Sequence, residues 1–416
     1  MEILESGRRN IVILGAGFGG ITALLKLRRG LKRRGLLPRY HLVLVDRTSH
    51  HLYTPALYEI AAIPKGEADA VRLKTAICIP IESIIGRFPE IRFIGETVVG
   101  LDPERHLIAL ESGNRLNFDY LVVALGAETN FFDIPGMAEH ALPLKTFADA
   151  VCLRNRVEGL VRETAGALSI VVGGGGATGV EIAAELVNYL CYLKKRVAAA
   201  KCQEHITLIE ASPEILPGFD PDIVRRARRR LSAMGVRMIT GALIREVRPS
   251  EAVLDGAALP YDLLIWAGGV RPAAGLLGLG LKLDPRGGVL VNEFLEARHR
   301  IYAIGDNASF PHPKTGKPIP GNVPVAEAGA RLTAKNIIAE ITGRKRQPFR
   351  PPERYPFILA VGGRYALADL VIVKLFGFAG WVFKQLVELR YLLFILPWPK
   401  AAATWLRAVY YSTRND

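Results

Sequence analysis

The chain has 416 residues, half of them apolar, enough for two or three domains with substantial cores. Lys and Arg number 54 against 40 Asp and Glu, giving a net charge of +14 that suits anionic partners: nucleic acid, acidic lipid headgroups or nucleotide phosphates. Cys78, Cys152, Cys191 and Cys202 show no paired spacing, so neither a disulfide framework nor a zinc site is expected, and the compartment reads as reducing.

From Arg8-Arg9-Asn10 the sequence enters an apolar run that Gly15 interrupts too early for a signal-peptide core, so no secretion is implied. Residues 10–46 read as a βαβ unit. A strand from Ile11 meets a turn carrying Gly15, Gly17 and Gly20, a helix spans about 18–35, and the run from His41 closes on Asp46. Such glycines permit a tight turn and bring bare backbone at a helix N-terminus to a pyrophosphate, while the acid accepts hydrogen bonds from ribose hydroxyls. Short strands fill 91–110, and the run from Tyr120 ends at Gly126, with Ala127-Glu128-Thr129 returning toward the nucleotide. Asp133-Ile-Pro-Gly136 reads as a boundary, and an amphipathic helix follows near 146–163.

Residues 168–210 repeat the pattern, with Gly174, Gly176 and Gly179 in the turn and Glu210 closing the second strand. One fingerprint is a weak signal, but two in matching context point to two dinucleotides. A helix from about 220 to 234 leads to the run Asp262–Pro272, whose strand and Gly269 parallel the earlier strand ending at Gly126. The run from Arg300 to Gly305 is a buried strand with Asp306 at its carboxyl end, where open α/β sheets bind ligands. The second nucleotide domain therefore reads as inserted in the first, and a further helix is expected near 325–342.

After the proline-rich stretch Gln347–Pro352 come three of the four tryptophans, Trp381, Trp398 and Trp405. Apolar runs there are broken by Lys384, Glu388 and Arg390, and no charge-free stretch approaches the roughly 18 residues of a spanning helix. Aromatics mixed with Lys and Arg suit helices lying at a lipid headgroup layer; a dimerisation face or ordinary core helices would give a similar pattern. No nucleic-acid module accompanies the basic charge, so a membrane surface is favoured over nucleic acid.

The two fingerprints with Ile301–Asp306 resemble the two-dinucleotide flavoproteins. Within these, the stretches His51–Glu59, Gly173–Glu181, Glu210–Pro217 and Gly380–Tyr391 resemble the type II NADH dehydrogenases, the single-subunit NADH:quinone oxidoreductases, over essentially the whole chain. The resemblance implies an α/β fold with an NAD domain inserted in an FAD domain and an amphipathic C-terminal membrane-associating segment. The expected divisions are 1–118 and 284–346 for FAD, 119–283 for NAD, and 347–416 for membrane anchoring and dimerisation. FAD would lie on Gly15, Gly17 and Gly20, with Asp46 on the adenosine ribose, Asp306 on the ribityl or pyrophosphate part, and Tyr53, Thr54 and Pro55 along the ring. NADH would lie on Gly174, Gly176, Gly179 and Gly269, with Glu210 on the 2′-hydroxyl, where a carboxylate repels the 2′-phosphate of NADPH.

Glu181, Glu327 and Lys384 are the implied catalytic groups. Glu181 would sit near the nicotinamide–flavin junction, although a carboxylate near a helix start also benefits from the dipole. Lys384 would sit near the quinone entrance, although it could simply pair with Glu388 on an exposed helix face. Glu327 departs from the family, which usually places Ala-Gln there with the glutamine facing the quinone headgroup. An ionised carboxylate at an apolar pocket is costly, so Glu327 should be protonated, paired with Arg331 or Lys335, or turned away.

The implied reaction passes a hydride from NADH to the flavin and then two electrons to a membrane quinone, without proton pumping. The implied setting is a homodimer held peripherally at the cytoplasmic face of the inner (plasma) membrane. Disulfide reductases are excluded because 47–77 holds no cysteine, and sulfide:quinone reductases because residues 203–416 hold none. A ferredoxin- or rubredoxin-reductase-like enzyme fits the charge but leaves the C-terminal segment unexplained, and a non-catalytic redox sensor fits the intact cofactor signatures poorly.

Overall fold

The computed structural model describes residues 7–164, 166–198 and 205–413. Its packing divides the chain into one unit of Met1–His51, Ile79–Glu128 and Arg271–Arg354, and another of Leu52–Cys78, Thr129–Val270 and Tyr355–Asp416.

The first unit is built on a six-stranded sheet, ordered Glu296–Arg298, Ile301–Ala303, Tyr120–Val123, Arg9–Leu14, Tyr40–Val45 and Ile91–Ile94. All neighbours are parallel except the first pair. Ile11 to Leu14 and Leu121 to Val123 are fully buried, because a parallel sheet is covered on both faces and selects continuous apolar runs. Ile301 aligns with Leu121, so a strand from beyond the second fingerprint pairs beside one that precedes it, as insertion requires. The antiparallel strands Val98–Asp102, Leu107–Leu110 and Arg115–Asn117 share a core with one face of the parallel sheet. The helices Phe18–Lys32 and Val323–Ile341 pack together. Asn322 caps the latter by accepting the Val325 N–H at 3.0 Å. Asn336 on this helix binds both the N–H and the C=O of Gln347, so the chain stays with the first unit to Arg354.

The second unit holds a five-stranded parallel sheet in the order Ala141–Pro143, Leu263–Trp266, Ser169–Gly173, His205–Glu210 and Arg237–Thr240. Around each fingerprint strand the arrangement is the same: the acid-bearing strand on one side, the strand ending in glycine on the other. Helix Phe147–Glu163 starts at a capping box between Thr146 and Asp149. It packs with helix Ala177–Ala198 and with the short helix Leu57–Ile60. The antiparallel sheet Phe357–Ala360, Ala366–Asp369 and Lys374–Gly377 leads to helices Phe378–Ile395 and Trp398–Ser412. These two are tied to one another by the Trp405 indole N–H, which donates to the Gln385 carbonyl at 2.9 Å. The C-terminal helices are thus packed elements of this unit. Among the described residues no helix is long and apolar enough to cross a membrane. Cys78 and Cys152 are free, but Cys191 is disulfide-bonded, which corrects the expectation of no disulfide; Cys202 lies outside the described residues.

Candidate active site

The first glycine turn is held by its peptide groups. The Gly15 N–H donates to Val45 C=O and the Ala124 N–H to Leu14 C=O, both at 2.8 Å. Gly15 has φ +101°, and a Cβ there would overlap the Ala124 carbonyl; a Cβ on Gly20 would overlap the Gly15 carbonyl. Only glycine fits either place. Gly17 differs, because a Cβ there would meet nothing within 4 Å. It is exposed in an otherwise buried loop. That open, side-chain-free backbone at a helix N-terminus is the cradle a pyrophosphate needs.

Asp46 closes this turn. One carboxylate oxygen accepts the Ala16 N–H at 2.6 Å, and the other accepts the Thr48 N–H and hydroxyl, each at 2.7 Å. The other side of the Ala16 residue is held by His51, whose Nδ1–H donates to the Ala16 carbonyl at 2.8 Å. A carbonyl only accepts, so that nitrogen carries the proton. Burial keeps the imidazole neutral, with its pKa pushed down to about 4. Asp306 stands past the end of Ile301–Ala303, and Asn307 beside it grips both the N–H and C=O of Gly126 at 3.1 and 2.6 Å.

The second turn repeats these contacts. The Gly174 N–H donates to Ile209 C=O and the Ala267 N–H to Gly173 C=O, both at 2.8 Å. Gly174 has φ +107°, a Cβ on Gly179 would overlap the Gly174 carbonyl, and Gly176 faces open space. One Glu210 oxygen accepts the Gly175 N–H and the other the Ser212 N–H, both at 2.7 Å. The Gly175 carbonyl accepts the Leu216 N–H at 2.7 Å, where the first turn uses His51. Gly269 follows the Leu263–Trp266 strand at φ +152°, with the Phe132 ring in front of it and its carbonyl accepting the Asn130 N–H at 3.1 Å.

A separate cluster in the second unit gathers the other expected groups. Lys384, on Phe378–Ile395, donates to Glu59 at 2.5 Å and stands 5.6 Å from the Tyr58 ring centre. It does not pair with Glu388 on an exposed face: the Lys384 side chain is only 12% exposed and Glu388 only 3%. Three of the charges acting on Lys384 are the carboxyls of Glu59, Glu388 and Glu181, and they raise its pKa against the burial that lowers it. Glu181 accepts the Ala360 N–H at 3.3 Å. Burial pushes its carboxyl up to about 8, against the helix-start stabilisation that its position suggested. Tyr53 packs its ring 5.9 Å from that of Tyr391, and Thr54 opens the adjoining turn Thr54–Ala56.

Glu327 belongs to the first unit. Of its three expected fates the structure shows pairing: Arg331, one helical turn on, binds its carboxylate. Lys335 instead donates to the Gln347 side chain at 2.6 Å. Glu327 is 7% exposed and Arg331 45%, so the pair is open to water only on the arginine side. Lys26 lies close enough for its pKa to be lowered, first by burial and then by Arg331. The sequence alone gives His51, Glu59 and Asn307 no role of their own, and Glu388 only that of a neighbour to Lys384. His51 and Glu59 bracket the motif that carries the resemblance, which was the one available signal.

The structure thus brings Gly15, Gly17, Gly20, Asp46 and Asp306 into one unit with Glu327, and Gly174, Gly176, Gly179, Glu210 and Gly269 into the other with Thr54, Glu181 and Lys384. A family model described as pyridine nucleotide-disulphide oxidoreductase matches residues 9–330. The external NADH-ubiquinone oxidoreductase 2 of Saccharomyces cerevisiae mitochondria is 30% identical over 72% of this chain, which spans only 58% of that relative's length. The type II NADH:quinone oxidoreductase of Mycobacterium tuberculosis is 28% identical over 93% of this chain and 85% of its own. Among solved structures, NDH2 from Plasmodium falciparum in complex with NADH has a TM-score of 0.83 at 19% identity, covering 98% of this chain and 100% of that one. This last is a likeness of fold.

Proposed function

The chain belongs to the pyridine nucleotide-disulphide oxidoreductase family, and within it we propose that this protein is a type II NADH:quinone oxidoreductase that uses FAD. The observation that carries the reading is the duplicated turn: two glycine cradles with open middle glycines, each held by a strand-end carboxylate. Two such cradles fit two dinucleotides, and the relatives matched over most of their length are named for NADH and quinone. FAD, when bound there, would supply the redox chemistry, hydride acceptance from NADH and two-electron delivery to a quinone.

The protein's own part is binding, orientation and proton handling. Gly15, Gly17 and Gly20 present backbone to the FAD pyrophosphate, Asp46 keeps lone pairs for the adenosine ribose, and Asp306 takes up the ribityl or pyrophosphate part. Gly174, Gly176, Gly179 and Gly269 do the same for NADH. Glu210 accepts the ribose 2′-hydroxyl and repels a 2′-phosphate, which sets the preference for NADH. Glu181 and Lys384 handle protons for the quinone, and Glu327, neutralised by Arg331, stands where relatives of this class carry glutamine. The electron transfer pumps no protons.

A lipid surface is the proposed partner of the C-terminal helices. Phe378, Val382, Leu386 and Leu393 lie exposed along one stripe of Phe378–Ile395, and Trp398, Leu406 and Tyr410 are exposed on the next helix beside Lys400 and Arg407. Apolar and aromatic side chains flanked by cations suit an anionic headgroup layer, here at the cytoplasmic face of the inner (plasma) membrane. A homodimer is part of the same reading, from the resemblance. The test is NADH oxidation by the FAD-loaded protein on liposomes with a long-tailed quinone or with a ferredoxin. Turnover with quinone supports the reading, whereas turnover with ferredoxin alone replaces it with a soluble-carrier reductase.

A further inference from the structure

Three carboxyls and one lysine converge in the interior of the second unit. Glu59 comes from Leu57–Ile60, Glu181 from Ala177–Ala198, and Lys384 and Glu388 from one face of Phe378–Ile395. With every group ionised the cluster would carry two uncompensated negative charges away from water, so at least one carboxyl keeps a proton at neutral pH. Lys384 is already committed to Glu59 through the 2.5 Å contact. Glu388 is 3% exposed, and the charged groups acting on it are Lys384 and Glu59, which already hold one another. A buried carboxyl one helical turn from an ammonium that is held by another carboxylate is suited to gain and lose a proton.

We propose that Glu388 is a second proton-holding carboxyl of this cluster beside Glu181, and that the cluster supplies the proton that quinol formation draws from solution. This rests on the function proposed above. In that reaction NADH, one H⁺ and quinone give NAD⁺ and quinol: the hydride carries both electrons and one hydrogen, and the second hydrogen arrives as a proton. Here the Glu388 O–H bond breaks, the proton passes through the cluster toward the quinone, and the Glu388 carboxylate is reprotonated from water. No electrons move in this step. The charged groups acting on Glu388 are Lys384 and Glu59; those acting on Glu181 are Lys384, Glu59 and Glu185. Burial pushes Glu388 up to about 7 and Glu181 up to about 8, while Lys384 pulls both down.

The experiment is infrared titration of the protonated-carboxyl C=O band in the FAD-loaded enzyme, wild type against Glu388→Gln, Glu181→Gln and Lys384→Met. The wild-type band should lose two components, near pH 7 and near pH 8. Glu388→Gln should lack the lower, Glu181→Gln the upper, and Lys384→Met should move both upward. Quinol formation by Glu388→Gln should be roughly 10²-fold slower, the low end of what a positioned proton donor contributes. A wild-type enzyme with no protonated carboxyl at neutral pH overturns the proposal, and that result needs no variant to fold. So does a Glu388→Gln enzyme that keeps both titrations. Failure of the wild type to reduce quinone overturns the function reading and the supply role with it, in an assay separate from the infrared titration.

Discussion

The twin carboxylate clamps predict a double dissociation between the nucleotide sites. Asp46 and Glu210 each accept two backbone N–H groups, one on each oxygen, at 2.6–2.7 Å. Asp46→Asn or Glu210→Gln preserves shape but offers an amide –NH₂ where one acceptor stood, so one N–H faces a donor. For Ala16 or Gly175, both buried, the orphaned N–H costs about 1–3 kcal/mol. At about 1.4 kcal/mol per factor of ten, a cost borne by the bound conformation of the loop weakens binding roughly 5- to 150-fold. Asp46→Asn should therefore weaken FAD, measured by flavin fluorescence on retitrating the apoprotein, and leave NADH within about twofold. Glu210→Gln should weaken NADH by a similar factor, spare FAD and narrow the gap between NADH and NADPH. Equal loss of both nucleotides from either substitution, or no loss from both, would refute the clamp reasoning.

Other consequences are as specific. Arg331→Met leaves the Glu327 carboxylate buried without its cation and should lower stability by about 1–3 kcal/mol, less than for a wholly buried pair because Arg331 is half exposed. Adding Glu327→Gln should recover most of the lost melting temperature. The His51 pKa of about 4 lies below its ordinary 6.5, so between these values the unfolded chain binds more protons and stability falls as pH drops through that window, by about 3 kcal/mol in all. His51→Phe should remove this part of the acid sensitivity, measured as the difference between wild-type and variant denaturant midpoints across the window. Leu386→Lys with Leu393→Lys, on the exposed stripe of Phe378–Ile395, should abolish cosedimentation with anionic liposomes without changing NADH-dependent flavin reduction.

What the sequence showed plainly was whatever repeats or runs without a break. Buried parallel strands are continuous apolar runs, so Arg9–Leu14 and Ser169–Gly173 were legible, and the acids closing the neighbouring strands marked where each turn is clamped. The helices near 146–163 and 220–234 emerged as Phe147–Glu163 and Pro221–Ala233 because caps and periodicity agree there. Groups joined only by long-range packing were not legible. Glu59 and Lys384 are 325 positions apart, and nothing local shows that they touch. The sequence leaves Lys384 open to two readings, a buried site or an exposed i,i+4 pair with Glu388, because their spacing is the same whether the face meets water or core. Residues 52–78, which follow the first nucleotide unit without a break, pack with the second, since an apolar run does not show which core it joins.

The central claim is that NADH electrons leave this protein through a membrane quinone. Its most direct test is stopped-flow reoxidation of the NADH-reduced, liposome-bound enzyme by a long-tailed quinone, a ferredoxin and oxygen in parallel. Rapid flavin reduction by NADH followed by rapid reoxidation by quinone, with slow reoxidation by the other two, is the predicted result. Rapid reduction followed by no reoxidation by quinone would contradict the account and make the Glu327–Arg331 pair the mark of a different acceptor.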